Sequence, residues 1–84
     1  MRECFLCGRT DWIERHHVYG GSRRKHSEKQ GMVVDLCHYC HNEPPSGAHH
    51  NKATDLYLKQ TYQQIFEETH SRDEFRRIFG KSYL

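Results

Sequence analysis

Long apolar segments are absent from this chain of 84 residues, in which no run of apolar side chains exceeds four residues. A membrane-spanning helix needs about 20 consecutive apolar residues, so the sequence excludes one and no membrane partner is expected. The amino-terminal residues Met-Arg-Glu-Cys also lack the apolar stretch of a secretory signal. We therefore expect a cytoplasmic protein, whose reduced thiols are better suited to bind metal than to form disulfides.

Apolar side chains are scarce overall as well, since only 35% of the residues are hydrophobic and the mean hydropathy is −1.03. A domain of this size buries only about 60% of the surface that its unfolded chain exposes. The small hydrophobic core of such a domain usually needs support from disulfides, a metal ion or a partner subunit. The four Cys and eight His of the sequence favour a metal ion, and residues 1–84 are predicted to form one domain.

Two pairs of cysteines have the spacing of zinc-binding turns, namely Cys4 with Cys7 and Cys37 with Cys40. Each pair presents two thiolates to one ion, and two pairs complete a tetrahedral site. The 29 residues between Cys7 and Cys37 exceed the common zinc-ribbon spacing, which is about 15 to 20 residues. We therefore predict one structural Zn²⁺ bound by the four cysteines, with a structured insertion between the pairs.

Local patterns predict an α+β domain whose sheet lies in the amino-terminal half. Residues 12–18 and 32–36 are predicted strands, and a Gly-Gly turn follows the first of them. Between the strands, residues 27–31 are expected to form one helical turn at most, with Ser27 as its N-cap.

The carboxy-terminal part, residues 51–84, is predicted to be helical, while residues 1–50 hold the zinc-binding turns and the sheet. A Pro-Pro pair delays the first helix, for which Asn51 is a good N-cap and in which apolar residues recur every three or four positions. Ser71 and Glu74 form a capping box that opens a second, shorter helix.

Five histidines near the cysteine pairs are candidates for a second, open metal site: His16, His17, His41, His49 and His50. Adjacent residues of a strand point to opposite faces, so His16 and His17 are suited to different tasks. One imidazole can hold a metal ion while its neighbour takes a proton from water, because the pKa of histidine lies near neutrality. The other histidines are predicted surface or packing residues: His26, His38 and His70.

One segment is strongly basic in a chain whose net charge is only +2. Residues 15–29 contain five Lys or Arg and a single acid, Glu28. Such a segment can bind the phosphates of a nucleic acid, although composition alone also fits a solvated loop. The candidate nucleic-acid-binding residues are Arg15, Arg23, Arg24 and Lys25.

The order of these motifs resembles the zinc-stabilised branch of the HNH nucleases. In that family a Cys-x-x-Cys turn precedes a strand ending in His-His or Asp-His, a Gly-rich loop follows, and a second strand leads through Cys-x-x-Cys into a His or Asn. The corresponding segments here are 4–7, 14–21 and 35–41. With 47–49 and 79–81 included, nearly the whole chain looks like the short HNH proteins found with phages and prophages.

The resemblance implies a zinc-stapled ββα-metal fold, similar to a treble clef, and an endonuclease that hydrolyses DNA with a His general base and one divalent ion (Mg²⁺, Mn²⁺, Ni²⁺ or Zn²⁺). It implies that His17 is the base, His16 the metal ligand before it, and His41 the ligand after the second cysteine pair. The last ligand is expected at His49, with His50 as the alternative. A bacterial host cell, and a larger phage packaging or recombination complex as partner, are also implied.

One feature of the family is missing from this sequence. The middle Asn, which orients the general base through backbone contacts, has no counterpart in residues 30–35. Asn42 and Asn51 are the candidates for that role.

Two other functions fit parts of the pattern. A non-catalytic zinc module would bind DNA through the basic segment, but it gives the adjacent histidines no role. A cross-braced protein-interaction module would bind one zinc ion with the cysteines and another with His16, His17, His41 and His49. Adjacent strand residues do not easily hold one ion, which favours the nuclease.

Overall fold

A computed structural model describes residues 2–45 and 47–84 of the chain. The sheet has two antiparallel strands, β1 (Ile13–His17) and β2 (Val33–Cys37). The described residues form four α-helices: α1 (Arg24–Lys29), α2 (His38–Asn42), α3 (Lys52–Phe66) and α4 (Arg72–Phe79). The architecture is α+β, as predicted, and none of the described helices is both long and apolar enough to cross a membrane.

The insertion between the strands is more helical than the sequence pattern predicts. A 3-10 turn (Gly21–Arg23) leads into the six residues of α1. The prediction of a single turn capped by Ser27 is wrong, because Ser27 lies buried inside α1. Its hydroxyl accepts a hydrogen bond from the amide of Tyr19 and donates one to the carbonyl of Met32. Tertiary contacts at the ends of both strands therefore stabilise a helix that is too short to be stable alone.

The two carboxy-terminal helices begin where the sequence predicts. The side chain of Asn51 accepts a hydrogen bond from the amide of Thr54 at the start of α3. Ser71 caps α4 in the same way, by accepting a hydrogen bond from the amide of Glu74. Gly80 ends α4 with φ of +94°, a conformation that glycine adopts without strain.

The core lies between the sheet and the carboxy-terminal helices, and one part of it is an aromatic cluster. The ring centroid of Tyr19 lies 4.4 Å from that of Phe79 and 5.3 Å from that of Phe75. The hydroxyl of Tyr19 donates a hydrogen bond of 2.6 Å to the carbonyl of Lys59 in α3. These contacts hold the residues that follow the two strand histidines against the helical half of the domain.

One buried polar side chain, Gln63, ties the carboxy-terminal tail to α3. Its amide oxygen accepts a hydrogen bond from the amide of Tyr83. Its amide nitrogen donates to the carboxylate of Glu67 and to the hydroxyl of Ser82. A buried amide whose partners are all present stabilises one placement of the tail over others.

Replacing Gln63 by methionine, which has a similar shape, should lower the free energy of unfolding by about 2 kcal/mol, because the amide of Tyr83 and the hydroxyl of Ser82 lose their partner. Gln64→Met is the matched control on the exposed side of the same helix, with an expected change below about 0.5 kcal/mol. Urea unfolding of the zinc-loaded proteins measures both values. Equal stability of the two variants would contradict the structural role of Gln63.

Candidate metal centre

The two cysteine pairs converge in space. The sulfur atoms of Cys4, Cys7, Cys37 and Cys40 all lie within 4.8 Å of one another. Those of Cys7 and Cys37 are 3.6 Å apart, and all four residues are free thiols. Ligands at about 2.3 Å from a tetrahedral zinc ion are about 3.8 Å apart, so the cluster has the size of a zinc site. The four cysteines are therefore compatible with structural zinc, as their spacing predicts.

Hydrogen bonds favour a thiolate within this cysteine cluster. Burial acts to raise the pKa of Cys4, but hydrogen bonds with the backbone of Cys37, Cys7 and Leu6 outweigh it and lower this pKa to about 6. Burial raises the pKa of Cys40, which lies against the other thiols. A first thiolate at neutral pH attracts a zinc ion, whose charge then favours loss of the remaining thiol protons.

Backbone hydrogen bonds join both cysteine pairs to the sheet. Within the first pair, the amide of Phe5 donates a hydrogen bond of 2.9 Å to the carbonyl of Asp35 in β2. The second pair begins where β2 ends, because Cys37 is both the last strand residue and the N-cap of α2. Cys40 therefore lies in a short helix, where the sequence predicts only a tight turn. An ion held by the cysteines would also fix the position of His41, which directly follows Cys40 in α2.

Three histidines form a second cluster: His16 from β1, His41 from α2 and His49 from the loop before α3. One nitrogen of each ring lies within 4.8 Å of the others, and the Nε2 atoms of His41 and His49 are 3.0 Å apart. Two ligands at about 2.1 Å from an ion and at right angles to each other are about 3.0 Å apart. The three imidazoles can thus bind one divalent ion and leave positions open for water and substrate.

His16 gives the strongest indication that the histidine cluster binds an ion. This residue is 4% exposed, and its Nε2 atom has no hydrogen-bond partner among the described residues. Burial, followed by the proximity of His41 and His49, lowers the pKa of His16 to about 4, so the ring is neutral at pH 7. A buried polar atom without a partner is costly. A metal ion would supply that partner, because neutral imidazoles are metal ligands.

The loop before α3 selects His49 and not His50. The amide of His49 donates a hydrogen bond of 3.1 Å to the carbonyl of His41, which brings the loop back onto α2. Gly47 permits this close approach, because a Cβ atom there would lie 2.7 Å from backbone atoms of Glu43. His49 therefore joins the cluster, whereas His50 lies outside it, although both residues are exposed.

Glu14 orients the ligand His41. One carboxylate oxygen accepts a hydrogen bond of 2.8 Å from Nδ1 of His41, which leaves Nε2 of that ring for an ion. The other accepts one of 3.0 Å from His38, whose second nitrogen donates to Glu43. The hydrogen bonds from His41 and then His38 lower the pKa of Glu14, and those with Glu14 and then Glu43 raise the pKa of His38. Carboxylates of this kind fix the tautomer of a metal-binding imidazole and raise its basicity.

His17 lies on the other face of β1 and is outside the histidine cluster. Its Nε2 atom is 2.7 Å from Oε2 of Glu28 in α1, and Oε1 of Glu28 is 2.6 Å from the guanidinium of Arg15. Strand alternation thus places Glu14 and His16 on one face and Arg15 and His17 on the other, as predicted for the two histidines. Both histidines nevertheless line the same cleft, of about 260 Å³.

The four basic residues predicted to bind phosphate have different surroundings. Arg24 lines the cleft of the histidines, and Lys25 lines the adjoining cleft. Arg15 lines both, but its guanidinium is ion-paired with a carboxylate of α1. Arg23 donates a hydrogen bond of 3.2 Å to the carbonyl of Ile78, so it also connects the insertion to α4.

Glu14 and Glu28 are functional candidates that the sequence motifs alone do not indicate. The position of Glu14 could have been predicted, because a residue two positions before His16 lies on the same face of the strand. Glu28 is the single acid of the basic segment, but its contact with His17 depends on α1, which the local pattern does not predict. His38, predicted to be a surface or packing residue, belongs to the carboxylate network around the cluster.

Comparison of the chain with protein-family models, with curated proteins and with solved structures finds no match. No related protein therefore indicates the chemistry of the site, and its own residues are the basis for assigning it. They provide a cysteine cluster compatible with structural zinc, and a histidine cluster that opens into a cleft.

Removing zinc from the cysteine cluster should unfold the domain, because structural zinc binding contributes about 10 to 16 kcal/mol and a whole domain is stable by about 5 to 15 kcal/mol. Cys40→Ala is expected to give the same loss of helical signal in circular dichroism. His49→Ala is the control, since it changes only the histidine cluster and should keep one tightly bound zinc ion by native mass spectrometry. Retention of the native spectrum by the zinc-free chain would contradict this role.

The histidine cluster should bind a divalent ion through His49 and not through His50. Loss of an outer partner of a metal ligand costs about 10 to 100-fold in affinity, so loss of the ligand itself should cost at least as much. In a calorimetric Ni²⁺ titration of the zinc-loaded protein, His49→Ala should therefore weaken binding by tenfold or more. The affinity of His50→Ala should stay within about twofold of the parent chain, since a surface substitution that touches no ligand changes little. The opposite order of the two variants would move the ligand to His50.

Proposed function

We propose that this chain is a metal-dependent DNA endonuclease of the HNH type, in which the ββα-metal unit consists of β1, β2 and α2. The observation that carries the proposal is the buried Nε2 atom of His16, which lacks a hydrogen-bond partner among the described residues and lies beside His41 and His49. His17, with the role of general base, lines the same cleft. The resemblance to HNH nucleases assigns the base and the three metal ligands to these four residues, and their proximity supports the proposal.

The arrangement of the elements supports the same function. β1 supplies His16 and His17, the insertion returns through β2 to the cysteine cluster, and α2 carries His41 away from that cluster. The structural zinc ion and the open site are thus next to each other but have separate ligands. A closed site of four cysteines has no coordination position for substrate, whereas three imidazoles leave several.

In the proposed reaction, His17 accepts a proton from a water molecule as the water oxygen attacks the phosphorus atom. The bond from phosphorus to the 3′ oxygen breaks, and this oxygen takes a proton from solvent, so that a 5′ phosphate and a 3′ hydroxyl are formed. A divalent ion bound by His16, His41 and His49 would stabilise the negative charge that develops on the phosphate oxygens. Glu14 keeps His41 in the tautomer whose Nε2 can bind that ion.

The basic residues of the insertion support DNA as the substrate. Arg24 and Lys25 are exposed and line the cleft of the histidines and its neighbour. Contacts between such side chains and phosphates position a duplex without reading its sequence. We therefore propose cleavage that is nonspecific in itself, or that a larger phage packaging or recombination complex directs to its site.

A specific observation disfavours the cross-braced interaction module. That module needs His17 as the fourth ligand of a second zinc ion, together with His16, His41 and His49. The ring of His17 instead forms a hydrogen bond of 2.7 Å with Glu28 on the opposite face of β1. A non-catalytic DNA-binding module would need the basic residues alone, and it gives no reason for a buried imidazole nitrogen without a partner.

The direct test is incubation of the zinc-loaded protein with supercoiled plasmid and Mg²⁺, Mn²⁺ or Ni²⁺. Nicked or linear DNA should appear with at least one of these ions and disappear when EDTA is added. Zinc content is measured in parallel, because loss of the structural ion would also abolish activity. Intact plasmid with every ion, in a protein that holds its zinc, would refute the nuclease function.

His17→Ala should reduce the cleavage rate by about 10² to 10⁴-fold, the usual contribution of a general base. His26→Ala is the matched control, because His26 is exposed on α1 in the same basic segment. Both variants should keep the zinc content and circular dichroism spectrum of the parent chain, since neither residue is in the cysteine cluster. Full activity of His17→Ala with the same ion would assign the base to another residue.

A further inference from the structure

Glu28 is the residue that contacts the general base. Its Oε2 atom lies 2.7 Å from Nε2 of His17, and its Oε1 atom lies 2.6 Å from the guanidinium of Arg15. A carboxylate only accepts hydrogen bonds, so Nε2 of His17 carries the proton that is shared with Glu28. In the neutral ring, Nδ1 is then the nitrogen with the free lone pair.

The surroundings of Glu28 hold its carboxylate in this position. Ser27, the preceding residue, is buried and bonds to the amide of Tyr19 and the carbonyl of Met32, so α1 is fixed to the ends of both strands. Arg15 occupies the second carboxylate oxygen and restricts rotation of the side chain. The carboxylate that accepts the hydrogen bond from His17 is therefore held in place, at its backbone by the neighbouring Ser27 and at its second oxygen by Arg15.

The ion pair has little structural value of its own. The side chains of Glu28 and Arg15 are 44% and 57% exposed, and exposed ion pairs contribute little to stability because water and salt screen them. The His17 side chain, in contrast, is only 16% exposed. The carboxylate of Glu28 therefore contributes little to the stability of the fold. Its hydrogen bond with His17 instead fixes a largely buried imidazole at the edge of the cleft.

We infer that Glu28 is the positioning residue of the general base, in the role that the middle Asn has in HNH nucleases, and that it makes Nδ1 of His17 the nitrogen that accepts the proton. This inference rests on the proposed function. Asn51, one of the two candidates for that role, instead caps α3 and donates a hydrogen bond to the carbonyl of Pro45.

The test combines a spectroscopic and a kinetic measurement on zinc-loaded protein. Long-range ¹H–¹⁵N spectra of ¹⁵N-histidine-labelled chain at pH 8 report the tautomer of His17, with His17→Ala as the assignment control. The parent chain should show the proton on Nε2, and Glu28→Ala should shift His17 toward a mixture of both tautomers. Glu28→Gln should keep most of the parent signal, because its amide oxygen still accepts the hydrogen bond.

In plasmid cleavage, Glu28→Ala should lower kcat by about 10 to 100-fold, the usual effect of losing an orienting partner, with KM within about twofold. Glu28→Gln should recover part of the loss. Glu68→Ala, an exposed carboxylate near the end of α3, is the control and should keep the parent kcat. A loss confined to KM would make Glu28 a substrate-binding residue and overturn the inference.

The spectra separate the two hypotheses. If the parent chain cleaves no DNA, the proposed function fails, but a tautomer shift in Glu28→Ala still supports the positioning of His17 by Glu28. If the parent chain cleaves DNA and Glu28→Ala shows the parent spectrum and the parent kcat, the nuclease stands and the positioning role is overturned.

Discussion

The interaction on which this domain depends is the convergence of four thiols from two distant segments. Cys4 and Cys37 are almost fully buried, whereas the surrounding domain has a small apolar core for its length. Zinc bound there would join the start of the chain to the end of β2 and to α2. It would also fix the position of His41, the residue that follows Cys40 in α2.

Local sequence patterns were sufficient for elements whose signals are themselves local. The caps at Asn51 and Ser71 predicted the starts of α3 and α4, because a cap bonds to an amide within three residues of itself. The spacing of the two cysteine pairs predicted that they converge, because one tetrahedral zinc ion needs all four thiolates as ligands. Each predicted bound of the two strands lies one residue from the observed bound.

The remaining features depend on contacts between distant segments, which a local pattern does not contain. α1 exists because Ser27 bonds to residues at the ends of both strands, so its own propensity is a poor guide. The choice between His49 and His50 depends on the close approach of Gly47 to the backbone of Glu43. The roles and activity that the resemblance to HNH nucleases implies remain predictions, because geometry alone does not measure a reaction.

The alternation of β1 gives the two faces of the strand separate hydrogen-bond partners. Glu14 and His16 lie on the face of the histidine cluster, and Glu14 acts there on His41. Arg15 and His17 lie on the face of α1, where Glu28 contacts both. Glu14 and Glu28 thus contact imidazoles on opposite sides of β1. In the proposed nuclease, two adjacent residues of one strand would serve a metal ion and a proton transfer without competing for the same partner.

Separating the structural ion from the open site also has an energetic reason. Ordering the five residues of α2 costs about 5 to 10 kcal/mol of backbone conformational entropy, at about 1 to 2 kcal/mol per residue. If the binding of an ion at the open site had to offset this entropy cost, the affinity of the site for that ion would fall by the same free energy. Zinc binding to the cysteines, at about 10 to 16 kcal/mol, is large enough to offset that cost. In the proposed nuclease, His41 would then be in place before a second ion binds, so the ion of the open site would not have to supply the free energy that orders α2.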